Sequence, residues 1–241
     1  MGPLDAAAGG MIQAILPSAV AAAEAFGHLE EALFPQEEAA LARAVDKRRR
    51  EFRTVRACAR AALAQFGVDR APMVPGPRGA PSWPDDIVGS MTHCEGYAAA
   101  AVARPARMHS LGVDAEPHGP LPDGVLDVIT LPDERRQLAE LRREHPAVHW
   151  DRLMFSAKES VYKAWYPLTH RWLDFEGAFV TIHPDSRTLT AELLVDGPLL
   201  DGARLRRMPG RWTVGEGVVL TAVTVSVRRD GRDAEPAADW S

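Results

Sequence analysis

A chain of 241 residues in which 46% of side chains are hydrophobic can bury one large core or two small ones. Its 28 Lys and Arg stand against 33 Asp and Glu, a formal net charge of −5, which argues against a general nucleic-acid binder, since such domains are basic. Two cysteines, Cys58 and Cys94, cannot build a disulfide framework, no apolar run reaches the roughly 18 residues of a membrane span, and no basic segment precedes an apolar one at the N-terminus. A cytoplasmic protein with free thiols is expected.

Residues 1–10 are small and polar and read as a flexible N-terminus. Residues 11–16 form a short apolar run, expected as a strand stopped by Pro17, while 18–26 fits either a weak helix or an extended edge. A helix is expected over 36–65, ended by Gly67, with a bend or break at Asp46 and Lys47. Phe52, Val55, Ala59, Leu63 and Phe66 recur at helical spacing and should face the core. The same helix carries Lys47, Arg48, Arg49, Arg50, Arg53, Arg56 and Arg60, either a solvated face or a landing site for phosphates, which the guanidinium can bind bidentately. Residues 71–86 are rich in Pro and Gly, the mark of an ordered loop or a linker. Strands are expected over 87–93 and 97–102, the second paired with 111–116 across a turn near Arg104 and Pro105.

Two blocks carry the chemistry. In Gly112-Val113-Asp114-Ala115-Glu116 the period of two puts both carboxylates on one strand face. In the helix holding Phe155 to Lys163, which begins near Val148 or Ser156, Glu159 and Lys163 are four apart. Ser156 and Glu159 also fit a capping box, and Glu159 with Lys163 an ordinary ion pair. Taken together, three carboxylates and two lysines suit a divalent cation beside a phosphate-bearing anion. Between the blocks, 124–129 reads as a short helix and 130–143 as another, opened by Thr130-Leu-Pro-Asp-Glu. Beyond Pro167 strands are expected over 175–183, 188–195, 203–208, 211–214 and 218–227, the last alternating Val219, Thr221, Val223, Val225 and Val227. Residues 229–241 read as a disordered tail.

The two blocks resemble the signatures of the Sfp-type phosphopantetheinyl transferases, (I/V)-G-(I/V)-D-x-E followed some forty residues later by (F/W)-(S/C/T)-x-K-E-(A/S)-x-x-K, with no departure at a charged position. The length to about residue 227 is similar to the actinobacterial carrier-protein-activating members. The resemblance implies an α+β fold, a pseudo-dimer of two similar α/β halves with the site in the cleft between them. On that basis 11–107 is the N-terminal, coenzyme A-binding half and 108–228 the C-terminal half with the metal and catalytic motifs.

The implied reaction transfers the 4'-phosphopantetheine arm of coenzyme A to a serine of an apo acyl or peptidyl carrier protein and releases 3',5'-ADP. By the same resemblance Asp114, Glu116 and Glu159, with the backbone oxygen of Ala115, hold Mg²⁺ or Mn²⁺. Lys158, Lys163 and Asp114 contact the coenzyme, the lysines spreading the diphosphate charge, and Glu159 is the base, directly or through a water on the metal. Arg48, Arg56 and His93 bind the 3'-phosphate and its neighbours, His93 as part of the block Ser90, Thr92, His93. Beside a phosphate the imidazole should have a raised pKa. Residues 76–84 resemble the family's adenine loop, G-x-(K/R)-G-x-P-x-(W/F)-P, through Arg78, Gly79, Ala80 and Pro81; many members have Lys where this chain has Arg78. Trp165, Tyr166 and Trp172 line either the exit for the pantetheine arm or the core. A monomer is expected. Two other readings remain at this point: a metal-dependent nuclease, disfavoured because Lys158 precedes Glu159 and the chain is acidic, and a non-catalytic coenzyme A-binding module, disfavoured because all three carboxylates are present.

Overall fold

The structure, a computed structural model, describes residues 10–228; the expectations for 1–9 and 229–241 lie outside the described residues. A three-stranded antiparallel sheet is built from β1 (Val20–Phe26), β2 (Val88–Cys94) and β3 (Tyr97–Ala103) in the order β1-β3-β2. Helices α1 (Pro35–Ala40) and α2 (Asp46–Ala64) lie between β1 and β2 in the chain. A five-stranded antiparallel sheet follows, with β4 (Met108–Pro117), β5 (Ala178–His183), β6 (Thr188–Leu193), β9 (Arg207–Gly215) and β10 (Val218–Ser226) in the order β4-β10-β9-β6-β5. It carries α3 (Val125–Ile129), α4 (Pro132–Glu144), α5 (Trp150–Thr169) and a small hairpin of β7 (Leu199–Leu200) and β8 (Ala203–Arg204).

The burial pattern explains the layering. Every residue of β3, Tyr-Ala-Ala-Ala-Ala-Val-Ala, is buried. Ala98, Ala100 and Val102 pack on Val55, Cys58, Ala59 and Ala62 of α2. Tyr97, Ala99, Ala101 and Ala103 face Leu111, Val113 and Ala115 of β4 and Leu220 and Ala222 of β10. The other face of β10, Val219, Val223 and Val225, packs on α5 through Leu153, Met154, Val161 and Trp165. The order is therefore helix, sheet, sheet, helix, and both inner strands are buried on two sides, which is why they read as continuous apolar runs.

Gly112 sets how closely α5 approaches. A Cβ there would lie 2.0 Å from the Ser160 carbonyl oxygen and 2.7 Å from the Ala164 nitrogen, so only glycine lets the helix backbone rest on β4. Ser156 and Ser160 both bond the Thr221 hydroxyl, at 2.9 and 2.7 Å, and Ser110 donates to the Ala164 carbonyl at 2.7 Å. These contacts fix the face of α5 next to Asp114.

Several expectations are corrected. Residues 11–16 are not a strand: Gln13–Ile15 is a 3-10 turn, because the N–H groups of Met11 and Ile12 turn back onto the buried Glu24 carboxylate. Residues 18–26 resolve as β1. The break expected at Asp46 and Lys47 within 36–65 is present but lies just ahead of them: 41–45 separate α1 from α2, which starts at Asp46. β3 pairs with β1 and β2, while β4 pairs with β10; the turn in which Arg107 and Met108 donate to the Arg104 carbonyl sends the chain into the second sheet. α5 starts at Trp150 and runs through Pro167 to Thr169, so Ser156 is an interior residue bonded to Thr221 and caps nothing. The strand expected over 203–208 is interrupted at 205 and 206, and β9 spans Arg207–Gly215.

Candidate active site

β2 and β4 are joined by side chains where their backbones do not pair. The Val113 N–H donates to Ser90 Oγ at 3.1 Å, and the Ala115 N–H to Thr92 Oγ1 at 2.9 Å. The Thr92 hydroxyl in turn points at Asp114 Oδ1, 3.5 Å away. This seam carries the N-terminal motif up to the C-terminal one and puts His93 beside Asp114.

Asp114 is buried, and its two oxygens differ. Oδ1 accepts from Lys163 Nζ at 2.7 Å, while Nζ also donates to the Val113 carbonyl at 3.1 Å. Oδ2 is buried with no hydrogen-bond partner, a costly condition for a carboxylate that a cation would relieve. Lys163 thus bridges to β4 and does not form the i,i+4 pair with Glu159. Burial and the nearby Asp114 charge raise the pKa of Glu159, with Lys163 partly opposing them. Burial and Asp114 likewise raise Glu116, against the pull of Arg152. Glu116 accepts from Arg152 Nη1 at 3.0 Å, and Arg152 also donates to the carbonyls of Gly119 (3.1 Å) and Pro120 (2.7 Å). The expected cluster of Asp114, Glu116 and Glu159 is therefore not closed: among the described residues no group of three His, Cys, Asp or Glu side chains is placed to hold a metal. What fits a cation here is the orphaned Asp114 oxygen, with Glu159 and Glu116 as flanking acids.

Lys158 is engaged elsewhere in the protein alone. Its ammonium is buried and bonded to Glu134 Oε2 at 2.8 Å, the Phe175 carbonyl at 2.6 Å and the Ala178 carbonyl at 2.9 Å. Those three acceptors use all its donors. Burial lowers its pKa, opposed by Glu134. Its place on the helix, about 100° round from Glu159, points it into the fold.

In the N-terminal half Arg48 Nη1 lies 2.6 Å from His93 Nε2, with Glu51 3.9 Å from Nδ1. Arg48 donates, so Nε2 is the acceptor and the ring proton sits on Nδ1. The His93 pKa is lowered, first by burial and then by the Arg48 and Lys163 cations, against Glu51 and Asp114. The raised value expected beside a phosphate is thus not the state of the protein alone. Arg56 is buried, donating to the Met73 carbonyl at 2.9 Å and lying 3.8 Å from Glu37; burial brings its pKa down to about 10. It supports the start of the Pro- and Gly-rich loop. Arg78, in that loop at a left-handed φ of 58°, sits 5.3 Å over the Trp172 ring and beside the Tyr162 hydroxyl. The short segment 79–81 closes the loop, with the Gly76 N–H bonded to the Ala80 carbonyl at 2.7 Å.

Beside Glu159 a cavity of about 90 Å³ is lined by Lys158, Tyr162, Trp172, Leu173 and Phe175. Trp172 is 59% exposed at its edge, whereas Trp165 is fully buried in the core and donates to the Arg171 carbonyl. Tyr166 packs on Tyr162 at 5.9 Å between ring centroids. Sequence reasoning missed Arg152, Glu37 and Glu134. The last two had a readable signal, Phe34-Pro-Gln-Glu and Leu131-Pro-Asp-Glu, each a proline followed by a glutamate at the third helical position.

Residues 36–103 match the 4'-phosphopantetheinyl transferase N-terminal domain, and 110–206 the 4'-phosphopantetheinyl transferase superfamily. The chain belongs to that superfamily and is an enzyme of its class, a transferase. It is 57% identical over 220 residues to the 4'-phosphopantetheinyl transferase Svp of Streptomyces mobaraensis, covering 90% of this chain and 89% of that one. With PptT of Mycobacterium tuberculosis the identity is 52% over 196 residues, 79% and 85% of the two chains; with Npt of Nocardia iowensis it is 47% over 222 residues, 88% and 99%. Among the described residues no helix is long and apolar enough to cross a membrane.

Proposed function

We propose that the protein transfers the 4'-phosphopantetheine arm of coenzyme A to a serine of an apo acyl or peptidyl carrier protein and releases 3',5'-ADP. We read residues 11–107 as the coenzyme-binding half, 108–228 as the catalytic half, and the two as a pseudo-dimer, supported by the buried glutamate at the third position of α1 and again of α4. The observation that carries the reading is the juxtaposition of an orphaned Asp114 oxygen, Lys163 and Glu159 with the Arg48–His93 pair.

Arg48 and His93 take the 3'-phosphate, with Thr92 holding the seam beneath them. Arg56 acts from below by anchoring the loop at Met73, and Arg78, Gly79, Ala80 and Pro81 shape the adenine side. Asp114, Glu159 and Glu116, with the Ala115 backbone oxygen, would hold Mg²⁺ or Mn²⁺. That cation supplies neutralisation of the diphosphate and lowers the charge barrier to attack. Lys163, already on Asp114, reaches the diphosphate from the same side. The serine oxygen forms a bond to the β-phosphorus, the P–O bond to the nucleotide breaks, and the serine proton passes to Glu159. The pantetheine arm occupies the aromatic cavity between Tyr162, Trp172 and Phe175. Most of the rate enhancement in such a transfer comes from alignment and charge. We read Lys158, bonded to Glu134 and two carbonyls, as part of the cavity wall and not as a group on the diphosphate.

The test is the mass of an apo carrier protein incubated with coenzyme A and Mg²⁺. One phosphopantetheine is expected to be gained, and Asp114→Asn and Glu159→Gln should cut the rate at least about 100-fold while the proteins stay folded. Absence of any gain across fatty-acid, polyketide and peptide carriers would overturn the reading.

A further inference from the structure

The chemistry above gives Glu116 a place at the cation and does not explain its pairing with Arg152 in the free protein. Glu116 shares the strand face of Asp114, two residues away, and a cation site closed by both would be the simple expectation. Instead Glu116 is drawn the other way by a guanidinium that is itself fixed at two further points, the carbonyls of Gly119 and Pro120. Arg152 sits in the first turn of α5, next to Asp151, whose carboxylate accepts from the Leu121 N–H at 2.9 Å. The two residues staple the segment after β4 to the helix. Arg152 therefore has a structural reason to stay where it is, and Glu116 is held by a rigid fork and not by a mobile lysine.

Resting on the coenzyme A reading, we propose that Arg152 holds Glu116 out of the cation site of the free protein, so that the divalent cation is taken up together with the coenzyme's diphosphate. Of the three carboxylates at this point, Glu116 is bonded to Arg152 and Asp114 to Lys163, while Glu159 is bonded to neither. The free protein thus presents one available Asp114 oxygen and Glu159. A small hard cation gives up its waters reluctantly and is held by one or two carboxylates only when substrate phosphates complete its shell. A diphosphate brings those oxygens, and it also gives Lys163 an alternative to Asp114. Arg152 is in this sense a positioning residue: it acts through Glu116 and touches neither substrate.

The experiment is a titration of MnCl₂ followed by the paramagnetic signal of the free aqueous ion, with the protein alone, with coenzyme A and with 3',5'-ADP, which lacks the diphosphate. In the wild type coenzyme A should tighten Mn²⁺ binding at least about tenfold, within the usual range of coupling between ligands, and 3',5'-ADP much less. Arg152→Met should tighten binding to the protein alone about fivefold or more and so shrink the coupling. Adding Glu116→Gln to Arg152→Met should remove that gain, because the ligand released is Glu116 itself. Should Arg152→Met fail to fold by thermal melting, Arg152→Gln, whose amide can still donate to one loop carbonyl, takes its place. Unchanged or weaker Mn²⁺ binding in the Arg152 variant overturns the proposal. So does a gain that survives Glu116→Gln, which would be a long-range charge effect. If transfer to a carrier is intact in the wild type, either result sinks this inference alone; if the wild type neither binds coenzyme A nor modifies a carrier, the functional reading falls first.

Discussion

Glu37 in the N-terminal half and Glu134 in the C-terminal half do the same work with different partners. Each is fully buried at the third position of a short helix that opens with proline. Glu37 accepts from the N–H groups of Phe34 and Met73 and from Arg60; Glu134 accepts from those of Leu131 and Val180 and from Lys158. Burial alone would raise the Glu37 pKa, but the Phe34 and Met73 donors and Arg60 bring it below the ordinary value. In both halves the cation on the long helix that pairs with this glutamate belongs to the fold. The charged residues next to Asp114 and His93 lie elsewhere on the same helices: Arg48 more than three turns before Arg60, and Glu159 and Lys163 after Lys158. Two cations of one helix or one motif thus differ by whether a buried glutamate lies within reach: Arg60 and Lys158 are paired to one, Arg48 and Lys163 are not.

The largest effect that would break this comparison comes from Glu134→Ala. It strands a buried ammonium and should cost about 3–5 kcal/mol in urea unfolding, and Glu37→Ala should cost less, because Arg60 keeps its second partner, Glu31, at 2.7 Å. The sharper variant replaces both members, Glu134→Leu with Lys158→Met. Apolar replacement of a whole buried pair is often tolerated, so much of the loss should return, and the refolded enzyme should modify its carrier within about threefold of wild type. A double variant that is folded yet inactive would put Lys158 back among the catalytic groups.

These pairs show why the sequence could be read in some places and not in others. The alternation of Leu111 to Glu116 and the helical spacing of Glu159 and Lys163 are local patterns, and β4 and α5 bear them out. Lys158 and Glu159 are neighbours in one motif, and their opposite fates depend on Glu134, more than twenty residues upstream and on another helix. Arg152 has no periodic signature, and its role depends on where the loop of Gly119 and Pro120 crosses α5. The partners of β3 differ from the expected one for a related reason: a run of alanines buried on both faces carries no alternation to say which neighbour it has.

A middle-sized effect concerns protons. In the protein alone the His93 pKa is lowered by burial and by Arg48 and Lys163, so near neutral pH the ring is uncharged. A phosphate dianion beside it favours the charged form and raises the pKa. Coenzyme A binding should therefore take up a proton in the window between the two values. Affinity should then weaken as pH rises through that window, because the proton is harder to supply. Calorimetry in buffers of different ionisation enthalpy reads the uptake directly. His93→Asn should abolish it, and a wild type that binds coenzyme A with no uptake between pH 6 and 8, about the range in which histidine titrates, would remove His93 from the phosphate.

The smallest effect tests the stacking of Arg78 on Trp172 beside the aromatic cavity. Arg78 lies 5.3 Å from the centroid of Trp172, whose ring is more than half exposed. An exposed cation–π pair contributes only about 0.5–1 kcal/mol, so Trp172→Ala should leave the melting temperature within a few degrees. It also removes a wall of the cavity beside Glu159, which the pantetheine arm would otherwise fill. KM for coenzyme A should rise by about three- to tenfold with kcat little changed, as expected when contacts made equally in the ground and transition states are lost. Arg78→Ala should raise KM less, because it takes away the cation and leaves the wall. If the arginine variant proved the more damaging of the two, the loop would be gripping the coenzyme directly, and the stacking on Trp172 would be incidental.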